Sequence, residues 1–219
     1  MPGHTALVTG GAGGLGRHVV AALLADGWRV VVPVEAGSDL EPRQGMSTVV
    51  ADLTDPDDVA RAVRAAGDIR TLVNLVGGFA ADQPVDETPI HEFERLFALN
   101  VRPTYLVTQA VLPHLKHAGG GSIVCTGAAS ALTPFAGGAG YTSSKAAVIA
   151  FAKAVAAEGA PHGVRCNVIL PTLIDTQANR DAMPASEHHK LVPPEKIASV
   201  VAFLCSDRSS AINGAAIPV

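Results

Sequence analysis

Tyr141 and Lys145 stand four residues apart in the run Tyr-Thr-Ser-Ser-Lys, a spacing that sets a phenol beside an ammonium on one helix turn. A free phenol titrates at roughly pH 10. A neighbouring cation favours its ionised form, so Lys145 is expected to lower the proton affinity of Tyr141 and bring it toward exchange with a reacting oxygen or nitrogen. Such a pair also arises by chance, and its meaning depends on the elements that carry it. Asn100 is a second candidate, a polar residue inside otherwise apolar sequence between two helical stretches. A cap or a kink would account for it as well as a buried hydrogen-bonding role does.

The elements follow from apolar patterning and turn residues. Thr5 to Thr9 reads as a strand that breaks into Gly10, Gly11, Ala12, Gly13, Gly14, Leu15, Gly16 ahead of a helix carrying Val19, Val20, Leu23 and Leu24. Strand, glycine turn and helix in that order let backbone N–H groups approach a pyrophosphate at the positive helix end. Asp26-Gly27 ends that helix, and Arg29 to Val34 is a second strand. Glu35, just past it, suits the ribose hydroxyls of an adenosine, and equally a solvated loop. Ser47 to Ala51 is a third strand ending at Asp52-Leu53, and Asp55-Pro56-Asp57-Asp58 opens a helix. Thr71 to Val76 is a fourth strand, followed by Gly77-Gly78. His91 to Leu99 and Val101 to His117 read as helices, and Ser122 to Thr126 as a fifth strand.

Gly127 to Gly140 reads as a loop, Ala146 to Gly159 as a helix, and Val164 to Leu170 as a sixth strand ending at Pro171. Thr172 to Val192 has no clear period and is expected to be a binding loop, so the substrate loop is placed at about residues 171–193. A helix from Pro193-Pro194-Glu195 to Leu204 and a short strand, Ala215 to Pro218, close the chain. The pattern predicts one α/β domain over residues 1–219, a doubly wound parallel sheet of about seven strands with helices on both faces. Its ligand belongs at the strand C-terminal ends.

Composition narrows the function. With 48% hydrophobic and 16% charged residues, the chain is well able to bury a core. A net charge of -4 without any Lys or Arg block argues against nucleic acid or an anionic membrane as partner. Met1 to His4 leads directly into a strand, leaving no room for a signal peptide, and no apolar run is long enough to span a bilayer. Cys125, Cys166 and Cys205 sit singly in apolar runs, the usage of a reduced cytoplasmic protein. No metal site is expected, His188-His189 having no partner cluster. The helix after Tyr141 is apolar nearly all round, which calls for burial on a second side, against another copy of the chain in a homodimer or homotetramer.

Taken in order, these motifs resemble the short-chain dehydrogenase/reductase family along nearly the whole chain. Thr9, Gly10, Gly14 and Gly16 match its Thr-Gly-x-x-x-Gly-x-Gly turn, and Asp52 its adenine-binding Asp. Asn74 to Gly77 is similar to its Asn-Asn-Ala-Gly segment. Asn100 matches its tetrad Asn, which holds a relay water, and Tyr141 and Lys145 match its acid/base Tyr and its Lys. The resemblance implies an NAD(P) cofactor contacted by Gly10, Gly14, Leu15, Gly16, Glu35, Asp52, Leu53, Asn74, Gly77, Tyr141, Lys145 and Pro171. Glu35, and Gly13 where an NADP-type basic residue would stand, tilt the choice to NAD.

The family's Ser thirteen residues before its Tyr is replaced by Ala128, with Thr126 and Ser130 as nearby hydroxyls, and its Pro-Gly after the sixth strand becomes Pro171-Thr172. Ala at that Ser position also occurs in the dihydropteridine reductase branch, which the chain resembles at Gly77-Gly78-Phe79 and at Leu170, Pro171, Asp175, Thr176, Asn179, Arg180, Met183 and Pro184. The expected function is hydride transfer to a planar conjugated small molecule, pterin-like or quinonoid. Such an electrophile is already activated and depends less on a Ser-type carbonyl clamp. The alternatives are a ketone/alcohol oxidoreductase of the broad family and a dinucleotide-binding protein without turnover.

Overall fold

The computed structural model describes residues 4–81 and 83–219. Met1 to Gly3, where the reading of no signal peptide begins, and Asp82 lie outside the described residues. One sheet of seven parallel strands holds β1 (Thr5–Thr9), β2 (Arg29–Val34), β3 (Met46–Val50), β4 (Ile69–Asn74), β5 (Gly121–Thr126), β6 (Val164–Leu170) and β7 (Ala216–Pro218). The helices are α1 (Gly14–Ala25), α2 (Pro56–Ala66), α3 (Ile90–Asn100), α4 (Arg102–His117), α5 (Ala139–Gly159), α6 (Gln177–Ala182) and α7 (Pro194–Cys205). The strand order β3-β2-β1-β4-β5-β6-β7 reverses direction between β1 and β4. A crevice therefore opens beyond the C-terminal ends of these two strands.

Side chains alternate along each strand. Leu7, Val31, Leu72, Ile123 and Val168 join the apolar layer covered by α2, α4 and α5, whereas Ala6, Val8, Val32, Val73 and Val124 join the layer under α1 and α7. Each fully buried Leu, Ile or Val contributes roughly 1.5–3 kcal/mol, so burial on both faces explains why these strands read as continuous apolar runs. Pro33 in β2 removes no ladder bond. Val30 N–H donates to Gly45 toward the β3 side, so by alternation Pro33 N faces β1, whose pairing with β2 ends at Val31.

Three differences from the sequence expectation bear on the site. β4 stops at Asn74, because Thr9 Oγ1 accepts from Leu75 N (3.2 Å) and Val76 N (3.4 Å) and draws the chain off the sheet toward the crevice. α5 begins at Ala139, well before Ala146, with Thr142 N donating to Gly138 O at 2.8 Å. Its glycine-rich first turn hides the start, although Gly140 is needed there: a Cβ would lie 2.9 Å from Leu96 Cδ1. The segment after Pro171 is ordered, with a bridge between Ile174 and Val192, α6, and a 3-10 turn Ala185–Lys190. Elements of one or two turns leave no period to detect.

Candidate active site

β1 delivers the chain to Gly10, whose φ of +68° suits glycine and whose Cβ would sit 2.9 Å from Val76 N. Gly16 is equally constrained, since a Cβ there would enter Gly10 O. The turn leads into α1 with Gly13 as N-cap, no side-chain cap bond and no acidic residue in the first turn. α2 is finished differently: Asp55 accepts from Asp57 N and Asp58 N, and both of those carboxylates stand in the first turn. The first N–H groups of α1 thus lack the side-chain acceptors that α2 has, at the positive end of the helix dipole. This cradle fits the pyrophosphate of a dinucleotide.

Two cavities meet at Gly10. One, of about 400 Å³, lies beyond β2 and is lined by Val34, Glu35, Asp52, Leu53, Val76 and Leu99 among others. Glu35 is exposed at its edge. Asp52 Oδ1 accepts from Thr54 N at 2.8 Å and Thr54 Oγ1 at 2.7 Å, which holds its carboxyl below the usual carboxylate range. The other, of about 780 Å³, extends over β4 and β5. Its walls include Gly14, Leu15, Gly16, Gly77, Phe79, Ala128, Ser130, Phe135, Tyr141, Lys145 and Pro171. The sizes suit an adenosine and a substrate beside a nicotinamide respectively.

The first turns of α5 place Tyr141 half-buried in the larger cavity and send Lys145 back to the end of β5. Lys145 is only 5% exposed, and its Nζ donates to Thr126 O at 3.1 Å. That Nζ lies 6.0 Å from the centre of the Tyr141 ring. Burial, and not the lysine, governs the phenol: Tyr141 is pushed above its ordinary pKa by desolvation. This corrects the expectation that Lys145 lowers it. Burial also brings Lys145 down to about 8, with the nearby Cys125 opposing. At neutral pH Tyr141 therefore carries its proton, ready to donate.

Asn100 is the last residue of α3 and is fully buried. Its Oδ1 accepts from Gly78 N at 2.9 Å, while Nδ2 donates to Gly78 O (3.1 Å) and Ser144 Oγ (3.0 Å). Both amide protons are engaged. The side chain thus ties the glycine loop after β4 to α5, and a Cβ on Gly77 would lie 2.5 Å from Asn100 Oδ1 and 3.0 Å from Lys145 Nζ. Asn74 lines neither cavity: its Nδ2 donates to Thr108 Oγ1 at 3.0 Å, and its carbonyl accepts from Thr126 Oγ1, a side chain of the larger cavity, at 2.9 Å. The remaining predicted contacts, Gly10, Gly14, Leu15, Gly16, Glu35, Asp52, Leu53, Gly77 and Pro171, all line the two cavities.

Sequence reasoning missed Ser144 and Phe135 and named Phe79 and Thr176 only through the family resemblance. Ser144, buried inside the Tyr-Thr-Ser-Ser-Lys run, donates to Tyr141 O at 2.7 Å and receives Asn100; its place one residue before Lys145 was the available signal. Phe135 faces Phe79 with ring centres 6.4 Å apart and 26° between planes, and Phe79 meets Tyr141 edge-on at 4.9 Å and 74°. Thr176 caps α6 through Asn179 N and comes against Gly14, where a Cβ would lie 2.6 Å from its Cγ2. His188 and His189 turn their rings to the carbonyls of Arg180, Met183 and Ser186.

A family profile described as short chain dehydrogenase matches residues 4–187. The 2-(R)-hydroxypropyl-CoM dehydrogenase of Xanthobacter autotrophicus is 32% identical, covering 98% of this chain and 96% of its own. Carbonyl reductase (NADPH) 2 of Sus scrofa is 33% identical, covering 98% and 94%. Among solved structures, a 3-ketoacyl-(acyl-carrier-protein) reductase from Brucella melitensis complexed with NADH superposes with a TM-score of 0.88 at 30% identity, covering 100% of this chain and 97% of that one.

Proposed function

The chain belongs to the short-chain dehydrogenase family and is an NAD(P)-dependent oxidoreductase, and from that premise we propose that it reduces a planar, conjugated, uncharged small molecule of pterin-like or quinonoid type. The observation that carries this reading is the aromatic wall of the larger cavity. Phe79 and Phe135 are 65% and 43% exposed, stack on each other and bring an edge against Tyr141. Exposed rings around a cavity favour a flat apolar partner. Among the described residues lining that cavity, Lys145 alone carries a formal charge. Ala128, 5% exposed, adds a methyl where a polar clamp would suit an isolated ketone.

Gly10, Gly14 and Gly16 with the α1 N-terminus would hold the cofactor's pyrophosphate, and Glu35, Asp52 and Leu53 its adenosine half. When bound, the cofactor supplies the hydride. Tyr141 donates the proton to the substrate atom that gains the electron pair. Lys145, fixed on Thr126 O, keeps a positive charge beneath Tyr141 below about pH 8. Asn100 acts as a positioning residue that fixes the Gly77-Gly78 turn against α5. The Glu35 carboxylate at the adenosine cavity favours NAD over NADP, because it repels a 2′-phosphate. An exposed stripe of Ser143, Ala146, Ala150, Ala154 and Ala157 along α5 suits helix packing against a second copy in a homodimer or homotetramer.

Initial rates of NADH and NADPH oxidation with freshly generated quinonoid dihydropterin, and with an aliphatic diketone, test the proposal. Faster turnover of the pterin with NADH is the expected result. Turnover of the diketone alone would shift the assignment to a general ketone/alcohol oxidoreductase, a reading that the likeness to a carbonyl reductase favours.

A further inference from the structure

The turn of α5 that carries Tyr141 and Lys145 begins at Gly138 and Gly140, with no side-chain cap bond at its start. Glycines give such a start little stiffness of their own. Lys145 Nζ fastens the turn to the end of β5 through Thr126 O at 3.1 Å. On another side α5 packs against α3, and among the described residues one side-chain hydrogen bond joins the two helices, from Asn100 Nδ2 to Ser144 Oγ at 3.0 Å. Ser144 is fully buried and lines neither cavity. It therefore stands outside the groups that touch a cofactor or a substrate.

A serine hydroxyl has one proton to give and two lone pairs. The proton of Ser144 goes to Tyr141 O at 2.7 Å, since a carbonyl only accepts, and the Asn100 amide fills a lone pair. A serine that bonds back into its own helix needs no further explanation; a second partner on another helix does. Asn100 passes the link on, accepting from Gly78 N at 2.9 Å and donating to Gly78 O at 3.1 Å. Gly78 lies close against α3, where a Cβ would sit 2.5 Å from Leu99 Cδ2. The next residue is Phe79, whose ring meets the Tyr141 ring edge-on at 4.9 Å. The contacts thus close on themselves, from the Tyr141 carbonyl through Ser144, Asn100 and Gly78 to Phe79, and from Phe79 back to the Tyr141 ring.

We infer that Ser144 is a positioning residue that, acting through Asn100 and Gly78, holds Phe79 against Tyr141 and so fixes where the phenol meets the reacting atom. The inference rests on the oxidoreductase reading with Tyr141 as proton donor, and it holds for a quinone and an isolated ketone alike. Ser144 keeps its own proton throughout. Without its hydroxyl, one Asn100 N–H is left buried with no acceptor, and the Gly78-Phe79 loop is freer to draw back from α5. Such a shift acts on the rate, because misplacing a reacting group by about 1 Å is enough to slow a reaction severalfold or more.

The test compares wild type, Ser144→Ala, Phe79→Ala and the double variant. Hydrogen exchange without cofactor reads the loop. Initial rates at saturating NADH, with 9,10-phenanthrenequinone and with an aliphatic diketone, read the chemistry. Ser144→Ala is expected to speed exchange of the Gly78 amide about tenfold while the amides of β1 and β4 keep their wild-type rates. It is also expected to lower kcat/KM about tenfold for whichever acceptor wild type reduces, and by less than about twofold once Phe79 is already Ala. Unchanged exchange at Gly78 overturns the inference, as does an unchanged kcat/KM. Faster exchange across β1 and β4 marks the hydroxyl as support for the whole fold and overturns it too, and so does an equal loss of kcat/KM with and without Phe79. Failure of the substrate reading gives a different pattern: wild type then reduces only the diketone or neither acceptor, and where it reduces neither, the exchange pattern alone decides on Ser144.

Discussion

Lys145 shows how one buried side chain links stability to chemistry. Its folded pKa is about 8 against an ordinary value of 10.5, so below pH 8 the folded protein carries the whole cost of a buried ammonium, on the order of 3 kcal/mol. Between these two values the unfolded chain binds a proton that the folded chain has released, and stability rises with pH across that window. Lys145→Met should accordingly be more stable than wild type at pH 7 by up to about 3 kcal/mol, with the gap closing toward pH 10.5; denaturant melts at a series of pH values measure it. Tyr141 carries the complementary prediction. Because burial raises its pKa, the phenol is a proton donor across neutral pH, and Tyr141→Phe should lower kcat by about a hundredfold or more while NADH affinity measured by fluorescence stays within about twofold. The spacing of the Tyr and the Lys was legible in the sequence. The direction of the phenol's shift was not, since it comes from burial in the folded protein.

At the level of elements, the contrast between α1 and α2 separates function from stability. Asp55 caps α2 by accepting from Asp57 N (2.8 Å) and Asp58 N (3.1 Å), and it lines neither cavity. Asp55→Ala should cost about 1 kcal/mol in urea unfolding and leave NADH affinity unchanged. Gly16→Ala should do the reverse of a surface change, because its methyl meets the backbone oxygen of Gly10 and neither side can give way. A loss of about 3 kcal/mol or more, or of NADH binding outright, is the expected outcome, and calorimetry on the two variants distinguishes the cases. The glycine turn and the Asp-Pro-Asp-Asp start of α2 were both readable, since each rests on local chemistry. The start of α5 was not: Gly138 and Gly140 are poor helix formers, kept there by the approach of Phe135 and Leu96. The ordered loop after Pro171 was missed for a related reason, as its α6 is held by Asp175 and Arg180, 2.5 Å and 2.6 Å apart in a bidentate pair, and not by an apolar face.

For the molecule as a whole, the sheet was the most legible feature, because strands such as β1 and β6 are apolar on both faces and fall between helices of the right length. The site was half legible. Residues that act through the backbone or through one turn, Gly10, Gly16, Tyr141 and Lys145, announce themselves, whereas Phe135, Ser144 and Thr176 matter only because folding brings them to the same cleft. No helix among the described residues is long and apolar enough to cross a membrane. Since the cleft joins both layers of the fold, a ligand lying along it ties them together, and NADH at about a hundred times its Kd should raise the melting temperature by about 5 to 10 °C, read by scanning fluorimetry.

Thr176 rests against Gly14, so the loop that follows β6 and the glycine turn that follows β1 share one wall. A dinucleotide seated on that turn would lie against the loop and form part of the wall that the second reactant meets. Ordered addition, dinucleotide first, is the expected outcome: in product-inhibition experiments the oxidised dinucleotide should compete with the reduced one, and the reduced organic product should compete with neither form of the dinucleotide.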